Sequence, residues 1–210
     1  MKKFLAVLLV LFVLMGCTSQ QTVECPECEV CEPVVQGDPE LPAARLSSCA
    51  VDDYSTDCSS IKIADNLHEY LGRDDVVYLD LRDYTDYAKT HVRNFECIPY
   101  FALIRGMGEE TEAGVQLYYG TLAEPVANYA ESEEMLKALI PADKTVFLMC
   151  QSGGKVAQCM KVMEKAGYDM SKVYNVGGMA QTDGNKNINL DSSAEVVAEV
   201  TYNFEGLTKN

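Results

Sequence analysis

The residues best suited to chemistry in this chain lie at Cys150-Gln151-Ser152-Gly153-Gly154-Lys155-Val156. A thiol closes the apolar run Thr145 to Met149, and two glycines and a lysine follow within five residues. Val156, Met160 and Met163 then recur at helical spacing, so the cysteine stands at a strand-to-helix turn. Backbone N–H groups converge in such a turn, and a helix N-terminus is electropositive. Both features favour thiolate over thiol and stabilise an anion bound above it. The expected nucleophile is therefore Cys150, with Gln151, Ser152, Gly153, Gly154, Lys155 and Val156 as the substrate-binding loop. The glycines permit close backbone approach, and Lys155 can meet the charged end of an anionic substrate.

Other candidates are weaker. Asp80 and Arg82 follow the apolar run Val76-Val77-Tyr78-Leu79. Two opposite charges at a strand end are expected to support the site by pairing and fixing a loop. His91 reads as a core or loop histidine, and Cys159 as a small apolar residue of the helix after the turn rather than a second reactive thiol. Cys49 and Cys58 flank the acidic residues Asp52, Asp53 and Asp57 and are candidates for a local disulfide outside the cytoplasm. Cys25, Cys28 and Cys31 stand at two-residue gaps. They either ligate a metal or an iron–sulfur cluster, for which a fourth ligand is missing from the run, or pair with other thiols. No metal site and no cofactor are assigned. Tyr118 and Tyr119 either line a substrate mouth or pack an insertion.

The elements that must position Cys150 alternate. Ile61 to Ile63 is expected as a short strand, and Asp65 as the cap of a helix burying Leu67, Tyr70 and Leu71. Val76 to Leu81 reads as a strand covered on both faces. Tyr84, Tyr87, Ala88 and His91 share a helical face, and Cys97-Ile98 is a short strand stopped by Pro99. Residues 104–130 break this rhythm and read as an insertion. Ser132 is expected to cap a helix that Pro141 closes. Thr145 to Met149 is the central strand, Gly154 to Ala166 the helix after the active turn, and Val173 to Val176 the last strand, followed by Gly177-Gly178. Residues 194–200 form either a short helix or an edge element. The alternation predicts an α/β fold, a central parallel sheet with helices on both faces and Cys150 at the carboxyl end of a strand, where such sheets bind ligands.

Length and composition suit one domain with extensions: 210 residues, 48% hydrophobic and 23% charged. A formal charge of −15 argues against nucleic acid as a partner. Lys2 and Lys3 precede the apolar run Phe4 to Met15, which is short for a membrane-spanning helix and reads as a signal peptide over residues 1–16. Leu14-Met15-Gly16-Cys17 resembles the lipobox of lipoproteins, which implies lipidation at Cys17. The expected location is the cell membrane, lipid-anchored and facing outside the cytoplasm, in the periplasm or at the cell surface. Acyl chains then hold the protein without help from a basic patch. Residues 17–59 follow as a cysteine-bearing tether, then the domain from 60 to 182, then a C-terminal extension, 183–210.

Several motifs together resemble a rhodanese-like domain, the sulfurtransferase family. They are Val77-Tyr78-Leu79-Asp80-Leu81-Arg82, Tyr87 with His91-Val92, Ile98-Pro99, the Cys150 loop, and Gly177-Gly178-Met179. The resemblance implies a rhodanese-like sheet. It also implies that Cys150 accepts sulfane sulfur from a donor as a persulfide and passes it to a thiol or cyanide-like acceptor. The alternative is a weak or inactive rhodanese module that binds a protein partner or a small anion. Related dual-specificity cell-cycle phosphatases have a longer loop, with arginine six positions after the cysteine; here that position is Val156. Three departures stand out. Lys155 replaces a common arginine and offers no bidentate fork. Val156 removes a common hydroxyl, and the chain has no tryptophan.

Overall fold

Val76–Asp80 forms strand β1, an apolar run whose alternate side chains are taken up by two separate cores. The computed structural model describes residues 37–106, 116–192 and 206–210. The expected signal peptide, Cys17, the Cys25–Cys31 cluster and residues 194–200 lie outside them. The elements that follow β1 are α1 (Tyr84–Lys89), β2 (His91–Val92), β3 (Glu96–Cys97), β4 (Tyr118–Gly120) and β5 (Pro125–Ala127). After them come α2 (Ser132–Leu139), β6 (Thr145–Cys150), α3 (Gly154–Lys165), β7 (Val173–Gly178) and β8 (Leu190–Asp191).

Four strands make a parallel sheet in the order β3-β1-β6-β7. This is an α/β fold with a central parallel sheet, as expected. Two antiparallel pairs, β2 with β8 and β4 with β5, lie outside it. Along β6, Val146, Leu148 and Cys150 join the core beneath α2 and α3, while Phe147 and Met149 join the other. That is the period-two alternation of a strand buried on both faces. Between β6 and β7 the register shifts after Leu148: Asn175 faces Leu148, Gly177 faces Met149, and Val176 is passed over.

The second core is closed by Ile61, Ile63, Leu67 and Tyr70 from an irregular segment, not by the expected strand and helix. Ile61–Ile63 is a bend that runs into a turn, and Leu67–Tyr70 is a single 3₁₀ turn. Full burial of an isoleucine is worth about 1.5–3 kcal/mol, and a backbone hydrogen bond about 1 kcal/mol net, so packing holds this segment without a ladder. One ladder-like bond remains, from the Ile63 N–H to the Val176 carbonyl, 2.8 Å.

Other local expectations also differ. The compact unit begins at Asp38, well before residue 60. The end of the expected tether therefore packs, with Ala44, Tyr54 and Cys58 buried. Ser132 is the first residue of α2 and not its cap; its hydroxyl accepts from the Tyr129 N–H (2.9 Å) and donates to the Leu117 carbonyl (2.7 Å). The insertion holds the β4–β5 hairpin and sends Leu117 and Tyr118 into the main core. Tyr119 on the same hairpin is exposed.

Candidate functional site

Cys150 is the last residue of β6 and its side chain points to the α3 face, among buried residues. It is 1% exposed. Its Sγ accepts the Gly153 N–H at 3.2 Å, so the first turn after the strand folds back over the sulfur. Gly153 has φ +87°, a left-handed conformation that glycine adopts at no steric cost. A Cβ there would run into Thr56 Oγ1. Gly178, paired with Cys150 across the sheet, lies flat beneath the loop, and a Cβ on it would collide with the backbone of Cys150, Gln151 and Ser152.

The loop residues divide by role. Gln151, Ser152 and Gly154 are exposed, and Val156 is buried in the core and begins the apolar stripe of α3. Lys155 points along the rim: its Nζ lies 3.5 Å from Asp83 Oδ2 and 4.6 Å from the centre of the Phe101 ring. Neither Asp83 nor Phe101 is marked by the sequence as part of the site. Their only signal is position, one after β1 and the other after Pro99, both at the carboxyl end of the sheet.

Asp80 and Arg82 form a buried pair, 0% and 3% exposed. Arg82 Nε donates to both Asp80 oxygens (3.1 and 2.9 Å) and Nη2 to Oδ2 (2.7 Å). Nη2 also donates to the Thr90 carbonyl at 2.8 Å, tying β1 to the end of α1. Burial pushes the Asp80 carboxyl above its ordinary value, opposed by the hydrogen bonds and charge of Arg82. The guanidinium is occupied by protein oxygens, so the pair fixes the loop beside Cys150. Next to it a cleft of about 550 Å³ is lined by Arg82, Lys89, Thr90, Gln151, Met179 and Leu190.

His91 lies in β2, not on the helical face expected for it, with its ring stacked on Tyr87 at 4.1 Å and Nδ1 3.0 Å from the Tyr87 carbonyl. Cys97, Cys150 and Cys159 are the free cysteines among the described residues. Cys159 is fully buried on α3, and its thiol is pushed well above the ordinary range by desolvation. Cys97 ends β3 on the rung of Asp80; burial and the Asp80 carboxylate push its thiol up to about 12. Cys49 and Cys58 are joined by a disulfide, Cα atoms 5.8 Å apart.

Fold and loop together define an α/β domain that presents a cysteine in a glycine-bearing turn at a strand's carboxyl end, with the Gly153 N–H on its sulfur. The family model of the rhodanese-like domain matches residues 63–182, and the chain belongs to that family. A solved structure described as a rhodanese with anions from E. coli is 19% identical. It covers 56% of this chain and 98% of its own, with a TM-score of 0.33. Of the curated proteins, none matches the chain.

Proposed function

We propose that the chain is a sulfurtransferase that carries sulfane sulfur as a persulfide on Cys150. The observation that carries this reading is the Gly153 N–H on Cys150 Sγ at the head of α3. With thiosulfate as donor, the Cys150 thiolate attacks the outer sulfur. Its S–S bond to sulfur breaks, sulfite leaves with the electron pair, and the enzyme holds Cys150–S–S⁻. A thiophilic acceptor such as cyanide or a thiolate then attacks the terminal sulfur and regenerates the Cys150 thiolate. Both enzyme states carry one negative charge, on Sγ before transfer and on the added sulfur, one S–S bond further out, after it. The backbone donors of the loop stabilise each without rearranging. Lys155 supplies the charge that meets the donor's oxygens, once it exchanges the carboxylate of Asp83 for substrate.

The test is mass spectrometry of the reduced protein after thiosulfate or polysulfide. Gain of one sulfur atom on the peptide bearing Cys150 is expected. Adducts only on other cysteines would refute the assignment.

A second reading is supported by the pairing of Lys155 with Asp83 and by the burial of Cys150. In it the domain binds a protein partner or a small anion and does not turn over. Iodoacetamide separates the two, because an activated thiolate is alkylated well below about pH 8.5, the ordinary thiol value. The same proposal places the domain outside the cytoplasm, anchored through acylated Cys17. Metabolic labelling with a fatty-acid analogue tests this. Label that persists after Cys17→Ser overturns it.

A further inference from the structure

The segment before the family-matched residues reaches into the active loop. Thr56 opens a 3₁₀ turn, Thr56–Cys58, and its hydroxyl donates to Asn175 Oδ1 at 3.3 Å. Asn175 is buried on β7, and its amide gathers four groups. Nδ2 donates to the Tyr54 carbonyl (2.8 Å) and to the Gly153 carbonyl (3.1 Å). Oδ1 accepts from the Gly177 N–H (3.1 Å) as well as from Thr56. Thr56 Oγ1 also occupies the space that a side chain on Gly153 would fill. The glycine whose N–H caps the Cys150 sulfur is thus pressed from outside by one residue and held through its carbonyl by another.

What keeps Thr56 there is a closed loop. The Cys49–Cys58 disulfide ties the turn two residues beyond Thr56. The Cys58 carbonyl accepts from the Leu46 N–H at 2.9 Å. On the other side, the Tyr54 ring lies beneath Arg45 (4.8 Å) and beneath Lys161 of α3 (4.7 Å), and Lys161 reaches Asp52 at 3.5 Å.

We infer that Thr56, held by the Cys49–Cys58 disulfide, is a positioning residue for the Cys150 loop, and that opening this disulfide lowers the reactivity of Cys150. The opening step is thiol–disulfide exchange with a dithiol. One thiolate of the dithiol attacks the bond and forms a mixed disulfide, releasing the first cysteine. The second thiolate displaces the other cysteine. Two electrons pass to Cys49 and Cys58, which take up the dithiol's two protons, and the dithiol leaves oxidised. With the loop open, the Thr56 hydroxyl leaves Asn175 Oδ1, the amide that holds the Gly153 carbonyl is no longer fixed, and the Gly153 N–H leaves the sulfur. The thiolate then loses a donor that stabilises it. This inference concerns the reactivity of the thiol that the proposed sulfurtransferase uses.

The experiment is the pH dependence of Cys150 alkylation by iodoacetamide, read on its own peptide by mass spectrometry, in the full chain. Five proteins are compared: unchanged, unchanged after dithiothreitol under anaerobic conditions with the dithiol removed, Thr56→Val, Thr56→Ser, and Cys49→Ser with Cys58→Ser. The midpoint is expected to rise by about one pH unit after reduction, in Thr56→Val and in the double serine variant, a tenfold loss of thiolate at any pH well below both midpoints. Thr56→Ser, which keeps the hydroxyl, should match the unchanged protein. If the double variant does not fold, the dithiothreitol and Thr56→Val arms carry the test. Coincident midpoints overturn the inference. So does a rate that rises at every pH with the midpoint fixed, because that reports access alone. Alkylation needs no sulfur transfer, so the two readings fail separately. A shifted midpoint with no sulfur uptake by any form leaves the clasp standing and removes the sulfurtransferase. Equal sulfur uptake with coincident midpoints does the reverse.

Discussion

Replacing Arg82 with methionine should be among the most damaging single changes in the domain, although the residue need not touch substrate. The substitution keeps a long apolar stem and deletes the guanidinium. Asp80 is then left fully buried without its three side-chain hydrogen bonds, and the Thr90 carbonyl loses its donor. Removing one member of a buried ion pair costs roughly 3–5 kcal/mol, chiefly the desolvation of the survivor. At about 2–4 °C per kcal/mol for a unit of this size, the melting temperature should drop by roughly 10 °C. Asp80→Asn should cost a similar amount, because Arg82 would then be the stranded charge. The double variant Asp80→Asn with Arg82→Met should lose clearly less than the two singles together, with a coupling of roughly 2 kcal/mol or more. The pH dependence has a defined sign. The Asp80 carboxyl is raised above 3.8 by burial. Its contribution to stability is therefore present below that value and is lost as pH rises through the raised one. Urea unfolding at neutral pH measures all three variants. Single variants within about 1 kcal/mol of the parent, with strictly additive effects, would refute the claim that this pair carries the loop.

Cys150→Ser should abolish sulfur transfer to cyanide, whereas Lys155→Ala should mainly raise KM for an anionic donor; steady-state kinetics decide both, and unchanged transfer by the serine variant removes Cys150 from the chemistry. Cys97, pushed up to about 12 by burial and Asp80, should resist iodoacetamide between pH 7 and 9 in the folded protein and react once it is denatured. Labelling of Cys97 at the rate of Cys150 would contradict that. Ser132→Ala strands the Tyr129 N–H and leaves the Leu117 carbonyl with the Asn128 N–H alone, so it should destabilise by about 1–2 kcal/mol in thermal melts. A loss no larger than that of an exposed serine would mean that the two hydrogen bonds of the hydroxyl contribute nothing to stability.

The Cys150 turn is legible in the sequence because its signals are local: a strand-forming run, a thiol, two glycines and a helical stripe lie within twenty residues. The buried pair at Asp80 and Arg82 is legible for the same reason, since both sit two residues apart at the end of one apolar run. Thr56 and Asn175 are not. They lie 119 positions apart and meet only once β7 is in place beside the loop. Asp83 is similarly hidden, because its approach to Lys155 spans 72 positions. The irregular segment from Ile61 to Tyr70 misleads because alternating isoleucines and a capping aspartate satisfy local rules for strand and helix. The second core offers that segment burial that does not depend on either.

The register shift beside Leu148 bears on how the molecule behaves in company. An open parallel sheet ends in two rows of unpaired backbone groups, which invite pairing with another chain. Here β3 is only two residues long and runs into Pro99, so one edge offers little to extend. On the other edge, β7 spends its extra residue by turning the Val176 carbonyl to the Ile63 N–H, and Asn175 takes the Gly177 N–H. A bulged, occupied strand is a poor template for a neighbour. Crowded copies of this domain should therefore resist sheet-to-sheet polymerisation.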